Sequence, residues 1–86
     1  MIKQFSDHAW EDLTFWLDDK RTLKKIIDLL KDIERNGNTG IGKPEPLKYE
    51  LVGYWSRRIT DKDRLIYMID NDSDTVYIIG CKGHYE

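Results

Sequence analysis

The chain reads as an α+β fold, with two N-terminal helices packed on one face of a mostly antiparallel, twisted β-sheet. Three observations predict it. Apolar residues recur at helical spacing through residues 10–33. From residue 47 onward, runs rich in Val, Ile, Tyr and Thr are punctuated by Gly, Asp, Asn and Ser. The helices precede most of the strands instead of alternating with them, which favours helices gathered on one side of an antiparallel sheet.

Ile2 to Phe5 is a short strand candidate. Ser6 is a good N-cap for a helix starting at Asp7, because its hydroxyl can accept a free backbone N–H, and Asp7 and Glu11 suit the positive helix end. Trp10, Leu13, Trp16 and Leu17 give that helix its apolar stripe, with Trp10 expected in the core. Asp18 or Asp19 caps a second helix, whose stripe is Leu23, Ile26, Ile27, Leu30 and Ile33. Asn36-Gly37 ends it, since Gly tolerates the left-handed conformation of a helix C-terminus. Residues 36–46 carry three glycines and two prolines and read as a loop. The prolines flanking Glu45 restrict its backbone and present its carboxylate with less entropy to lose. Strands are expected at 47–51, 54–60, 64–69 and 75–82, joined by turns at 52–53, 61–63 and 71–74.

Eighty-six residues make one core, so 1–86 is expected to be a single domain. A core this small makes a partner or a dimer interface plausible beforehand. The 40% hydrophobic content and three Trp describe a folded globule. The net charge of −2 does not announce nucleic-acid binding, but the signs are segregated along the chain. Asp7, Glu11, Asp12, Asp18 and Asp19 crowd the start, while Lys43, Lys48, Arg57, Arg58, Lys62, Arg64 and Lys82 come later, and local fields steer a ligand. The single cysteine, Cys81, lies in an apolar run and reads as a buried thiol. No stretch is long enough to cross a membrane, and the N-terminus lacks a signal-peptide core, so a cytoplasmic protein is expected. His8 reads as a surface residue. Two histidines without ligand spacing argue against a metal site, and neither a phosphate-cradling Gly loop nor a nucleophile elbow is present.

The chemistry-bearing residues fall in the second half. In 54–60, period-two alternation puts Tyr54, Ser56, Arg58 and Thr60 on one face and Trp55, Arg57 and Ile59 on the other. A three-residue loop at 61–63 would set Thr60 opposite Arg64, making Arg58 and Arg64 diagonal neighbours within reach of one bound anion. Spacing alone allows equally that both arginines are solvated or paired with Asp61 and Asp63. Glu45, His84 and Tyr85 are each weak signals singly; together they supply a carboxylate, an imidazole and a phenol beside several cations.

The runs Gly42-Lys-Pro-Glu-Pro-Leu-Lys48, Trp55-Ser-Arg-Arg-Ile-Thr60, Arg64-Leu-Ile-Tyr67 and His84-Tyr85, with Trp10 and Trp16 upstream, resemble the YoeB family of the RelE/ParE toxin superfamily. The resemblance covers essentially the whole chain. It implies a RelE-like fold and a toxin of a type II toxin–antitoxin system that cleaves mRNA in the decoding site of the translating ribosome without a cofactor. It implies a YefM-type antitoxin as partner, a homodimer, and contact with operator DNA only through the antitoxin complex. Its functional positions fall on Glu45, Lys48, Arg58, Arg64, His84 and Tyr85, with Glu45 as base and His84 as acid, or the two exchanged. Lys43, Lys48, Arg57 and Lys82 are expected to bind RNA phosphate. The family pattern ends at the Tyr, whereas Glu86 follows here. Two other readings stand beside this one: a non-catalytic ParE-like gyrase-binding toxin, and an inactive homologue serving autoregulation with its antitoxin.

Overall fold

The structure, a computed structural model, describes residues 1–84. The elements run β1 (Ile2–Phe5), α1 (Asp7–Phe15), α2 (Lys20–Asn36), β2 (Glu45–Pro46), a 3-10 turn (Tyr49–Leu51), β3 (Trp55–Arg58), β4 (Arg64–Asp70) and β5 (Thr75–Gly80). The five strands form one sheet in the order β1-β5-β4-β3-β2. β1 runs parallel to β5, and the other pairings are antiparallel. This is the expected α+β layout.

Local chemistry places the helices. The Ser6 side chain accepts the Ala9 N–H at 3.1 Å, and Asp19 accepts that of Thr22 at 3.0 Å, so both orphan-donor ends are capped. The bonds from the Thr22 N–H and, at 2.8 Å, the Thr22 hydroxyl hold the Asp19 carboxyl below its ordinary pKa. Gly37, at φ 65°, closes α2 by donating to the Ile33 carbonyl. The faces are rotated from the expected stripes. α1 buries Ala9, Asp12 and, just past its end, Trp16, while Trp10 is 56% exposed and Leu17 65% exposed. Trp10 stands edge-on to Phe5, with centroids 6.1 Å apart, instead of entering the core. α2 buries Ile26, Leu29, Leu30 and Ile33, leaving Ile27 outside. These side chains meet Leu65, Tyr67, Val76 and Ile78 of the sheet to make the core.

The rotation of α1 has a polar cause. Asp12 Oδ2 accepts the Cys81 N–H at 3.0 Å, and the Trp16 indole donates to the Cys81 carbonyl at 2.9 Å. Both backbone groups of a fully buried residue past the end of β5 are thereby satisfied, and turning Asp12 outward would orphan one of them. β5 accordingly stops at Gly80, short of the expected residue 82.

Strands 47–51 and 54–60 also differ from expectation. The ladder begins earlier, at Glu45–Pro46, and Pro46 is tolerated because β2 is an edge strand. Tyr49 then takes φ 58°, a conformation incompatible with a strand, and residues 49–51 close into the 3-10 turn that leads to β3.

The largest fully buried side chain is a cation, Arg57. Its Nε donates to the Tyr67 hydroxyl at 3.0 Å. Nη1 donates to Asp32 Oδ2 and the Ile41 carbonyl, and Nη2 to the carbonyls of Gly37 and Thr39. All five guanidinium N–H groups are used. The expectation that Arg57 binds phosphate is thereby corrected: it lies on the helix side of the sheet with no donor to spare. Asp32 also accepts from the Ile41 N–H and the Asn36 amide. The Arg57 guanidinium, chiefly through its hydrogen bond, holds the Asp32 carboxyl below the usual carboxylate range.

Two predictions follow from this core. Asp32→Ala leaves a buried guanidinium without its counter-ion and should cost about 3–5 kcal/mol in urea unfolding near neutral pH. Because Asp32 is depressed in the folded state, its contribution is present above the ordinary value of 3.8 and is lost as pH falls through the lower folded value. The gap between parent and variant should therefore narrow in acid; a gap that widens there contradicts the assignment. Burial pushes the Cys81 thiol up to about 12. A thiol reagent at pH 8 should leave the folded chain unmodified and react at once in denaturant.

Candidate active site

Opposite the helices, the sheet carries a cleft of about 160 Å³ lined by Lys43, Glu45, Leu47, Ser56, Arg58, Arg64 and His84. The backbone explains the convergence. Glu45 pairs with Ser56 across β2 and β3, and Ser56 pairs with Ile66 of β4. Two residues along, Arg58 pairs with Arg64. Just outside the ladder, the Arg58 N–H donates to the Gly42 carbonyl at 2.7 Å, which brings Lys43 alongside.

The two arginines are thus direct cross-strand partners, not diagonal ones, roughly 4.5–5.5 Å apart at Cβ. The turn is longer than three residues. The Thr60 hydroxyl accepts the N–H groups of Lys62 (3.1 Å) and Asp63 (3.0 Å), and the Ile59 N–H reaches the Asp63 carbonyl at 2.9 Å. The last ladder pair therefore falls at 58–64. Among the described residues, neither arginine is ion-paired with Asp61 or Asp63. Arg64 Nη1 instead donates to the carbonyls of Thr60 (2.9 Å), Asp61 (3.3 Å) and Asp63 (3.1 Å), which steadies the guanidinium without neutralising it.

His84 reaches the cleft on a segment fixed at alternate residues. Cys81 is held at both backbone groups by Asp12 and Trp16. Gly83, at φ 82°, donates to Asp63 Oδ1 at 2.8 Å, and its carbonyl accepts the Arg64 N–H at 2.9 Å. Between them, the Lys82 ammonium sits 4.1 Å from the centroid of the Phe15 ring, an attractive contact with the ring face.

Of the residues singled out in the sequence, the cleft gathers Lys43, Glu45, Arg58, Arg64 and His84. Lys48 is exposed and does not line it, and neither do Arg57 and Lys82, engaged elsewhere as described. Tyr85 and Glu86 lie outside the described residues. Sequence reasoning gave no role to Ser56, although its place on the Arg58 face was legible from alternation. Asp12 was read only as part of an acidic cluster, although its spacing from Ala9 and Trp16 puts all three on one helical face.

Chemically, the cleft sets two guanidiniums and an ammonium against one carboxylate, with an imidazole among its lining groups. It suits an anion that must be bound, polarised and exchanged for protons. A small α+β protein with such a cleft belongs to a recognisable class. Residues 5–85 match the YoeB-like toxins of bacterial type II toxin–antitoxin systems. Toxin YoeB of Escherichia coli K12 is 48% identical over 82 residues, covering 94% of this chain and 95% of that protein. The YoeB dimer of Staphylococcus aureus superimposes with a TM-score of 0.91 at 47% identity, covering 99% of this chain and 98% of that one. The YoeB–YefM complex of the same organism gives 0.90 at 46% identity, again covering 99% and 98%. The chain belongs to the YoeB-like toxin family of bacterial type II toxin–antitoxin systems.

Facing guanidiniums repel each other, and a bound anion relieves that repulsion. Arg58→Ala should raise thermal stability slightly in dilute chloride buffer, by up to about 1 kcal/mol. Adding sulfate should raise the melting temperature of the parent more than that of the variant. Identical sulfate responses would show that the pair does not form an anion site.

Proposed function

We propose that this toxin is an endoribonuclease that cuts mRNA in the decoding site of the translating ribosome, using side-chain acid–base chemistry. The observation that carries the reading is the single cleft holding Glu45, Arg58, Arg64 and His84. RNA offers its own nucleophile: the 2′-OH attacks the adjacent phosphorus, the bond to the 5′-oxygen breaks, and a 2′,3′-cyclic phosphate remains. Glu45 takes the 2′-OH proton as general base. His84, in its protonated form, gives a proton to the departing 5′-oxygen. Negative charge grows on the non-bridging oxygens between these events. Arg58 and Arg64 stabilise it, Arg64 from a guanidinium steadied by the turn carbonyls, and Lys43 adds a further cation. Lys48 helps the arginines hold the RNA phosphate, and Tyr85 positions the substrate.

The assembly follows the relatives. The Staphylococcus aureus toxin is seen both as a dimer and with YefM. A homodimer and a YefM-type antitoxin are proposed here, with operator DNA reached only through the antitoxin complex. Among the described residues no helix is long and apolar enough to cross a membrane, and the site of action proposed is the cytoplasm.

Cleavage of a programmed mRNA on purified ribosomes tests the reading. The parent should cut at the decoding-site codon. Glu45→Ala and His84→Ala should each cut about 100- to 10,000-fold more slowly, the usual contribution of one general acid or base. Both should still bind the antitoxin. Full activity in either variant removes that residue from the chemistry. No cleavage by the parent favours the gyrase-directed or regulatory reading, which a supercoiling assay and an operator-binding assay then separate.

A further inference from the structure

Asp63 does not line the cleft, yet its carboxylate joins the two segments that deliver cleft residues. Oδ2 accepts the Thr60 hydroxyl at 2.7 Å, tying it to the turn between β3 and β4. Oδ1 accepts the Gly83 N–H at 2.8 Å, one residue before His84. The adjacent Arg64 N–H closes the second half of the clamp on the Gly83 carbonyl at 2.9 Å. Gly83, the residue before His84, is anchored at both of its backbone groups, and a glycine without Cβ has by itself little preference for the φ of 82° it holds. The side chain of Asp63 therefore supplies one of the two bonds that hold a permissive glycine as a fixed pivot, and the one bond that a substitution can remove.

We infer that Asp63 is the positioning residue for His84: through the Gly83 N–H it sets the direction in which the imidazole enters the cleft. The inference rests on the endoribonuclease reading for its kinetic consequence, but not for its structural one. Its chemistry is specific. The bond needs an oxygen acceptor at Oδ1, not a negative charge, so an amide can replace the carboxylate and a methyl cannot. A misdirected imidazole weakens proton transfer in the transition state more than it weakens binding of RNA to the cations.

The test compares Asp63→Ala, Asp63→Asn and Thr60→Val with the parent, in ribosome-programmed cleavage and in amide hydrogen exchange at Gly83. Asp63→Ala should lower kcat about 10- to 100-fold with KM nearly unchanged. Asp63→Asn should recover most of the loss. Thr60→Val removes the hydroxyl's bonds to Asp63 Oδ2 and to the Lys62 and Asp63 N–H groups but leaves the bond from Gly83 to Asp63 Oδ1, and it should lose less than Asp63→Ala. The Gly83 amide should be protected in the parent and in Asp63→Asn, and exchange faster in Asp63→Ala. An unchanged kcat in Asp63→Ala overturns the inference, as does a Thr60→Val variant that loses as much as Asp63→Ala, which would place the effect in the turn. If the parent does not cleave at all, the functional reading fails by itself. Gly83 exchange then decides the anchoring alone: equal rates in parent and Asp63→Ala overturn it, and faster exchange in the variant upholds it.

Discussion

A guanidinium buried in the middle of a sheet is a large liability, since removing a charge from water costs several kcal/mol even after relaxation. Arg57 offsets that cost with Asp32, the Tyr67 hydroxyl and three backbone carbonyls. Those partners tie together pieces that have little else in common. Asp32 belongs to the last turns of α2, Tyr67 to the centre of β4, and the carbonyls of Gly37, Thr39 and Ile41 to a segment without regular structure. That segment has few apolar contacts to offer, so the arginine stands in for a hydrophobic core there. Gly40 and Gly42 both carry positive φ, and a side chain at either would collide with this arrangement: with Asp32 at Gly40, and with Leu29 and Arg57 at Gly42. Once residues 37–41 are wrapped around Arg57, Gly42 is placed against Arg58, and Lys43 and Glu45 follow into the cleft.

The second route into the cleft is built differently. The C-terminal segment is anchored through backbone groups, at Cys81 by two side chains of the α1 region and at Gly83 by Asp63 and Arg64. The imidazole therefore depends on α1 and on the β3–β4 turn, while the carboxylate depends on α2 and the Arg57 network. Carboxylate and imidazole are delivered by separate anchoring networks, and the arginines of the cleft belong to the sheet that both networks share.

Much of this was legible in the sequence. Helix caps at Ser6 and Asp19 and the stop at Gly37 follow from short-range chemistry, and so does the period-two alternation that separates Arg57 from Arg58. The motif-bearing residues Glu45, Arg58, Arg64 and His84 do converge. What escaped was set by distant partners. The facing of α1 depends on a bond from Asp12 to Cys81, 69 residues away, so Trp10 and Leu17 lost their places in the core to Ala9 and Asp12. Register at the β3–β4 turn depends on the Thr60 hydroxyl, whose bonds are invisible to a pattern of apolar residues. The strand expected at 47–51 failed because Tyr49 adopts a left-handed backbone that β propensity does not forbid. Arg57 and Arg58 look alike in sequence, and only the carboxylate waiting at Asp32 shows which one the interior takes.

The adjacency of those two arginines has a consequence for how β3 finds its place. Sliding a strand by one residue exchanges its faces. For most strands the penalty is exposed hydrocarbon and buried polar groups. For β3 it would thrust Arg58 among apolar side chains without a counter-ion, strand Asp32 beside an empty space, and put Arg57 into solvent. The dipeptide thus works as a parity check on strand pairing, enforced by charge in a stretch too short for hydrophobic alternation to do it alone. Insertions or deletions of an odd number of residues in the neighbouring turn would be filtered by folding before any selection on activity could act. In a chain this small, fidelity of assembly and the arrangement of the cleft are inherited together.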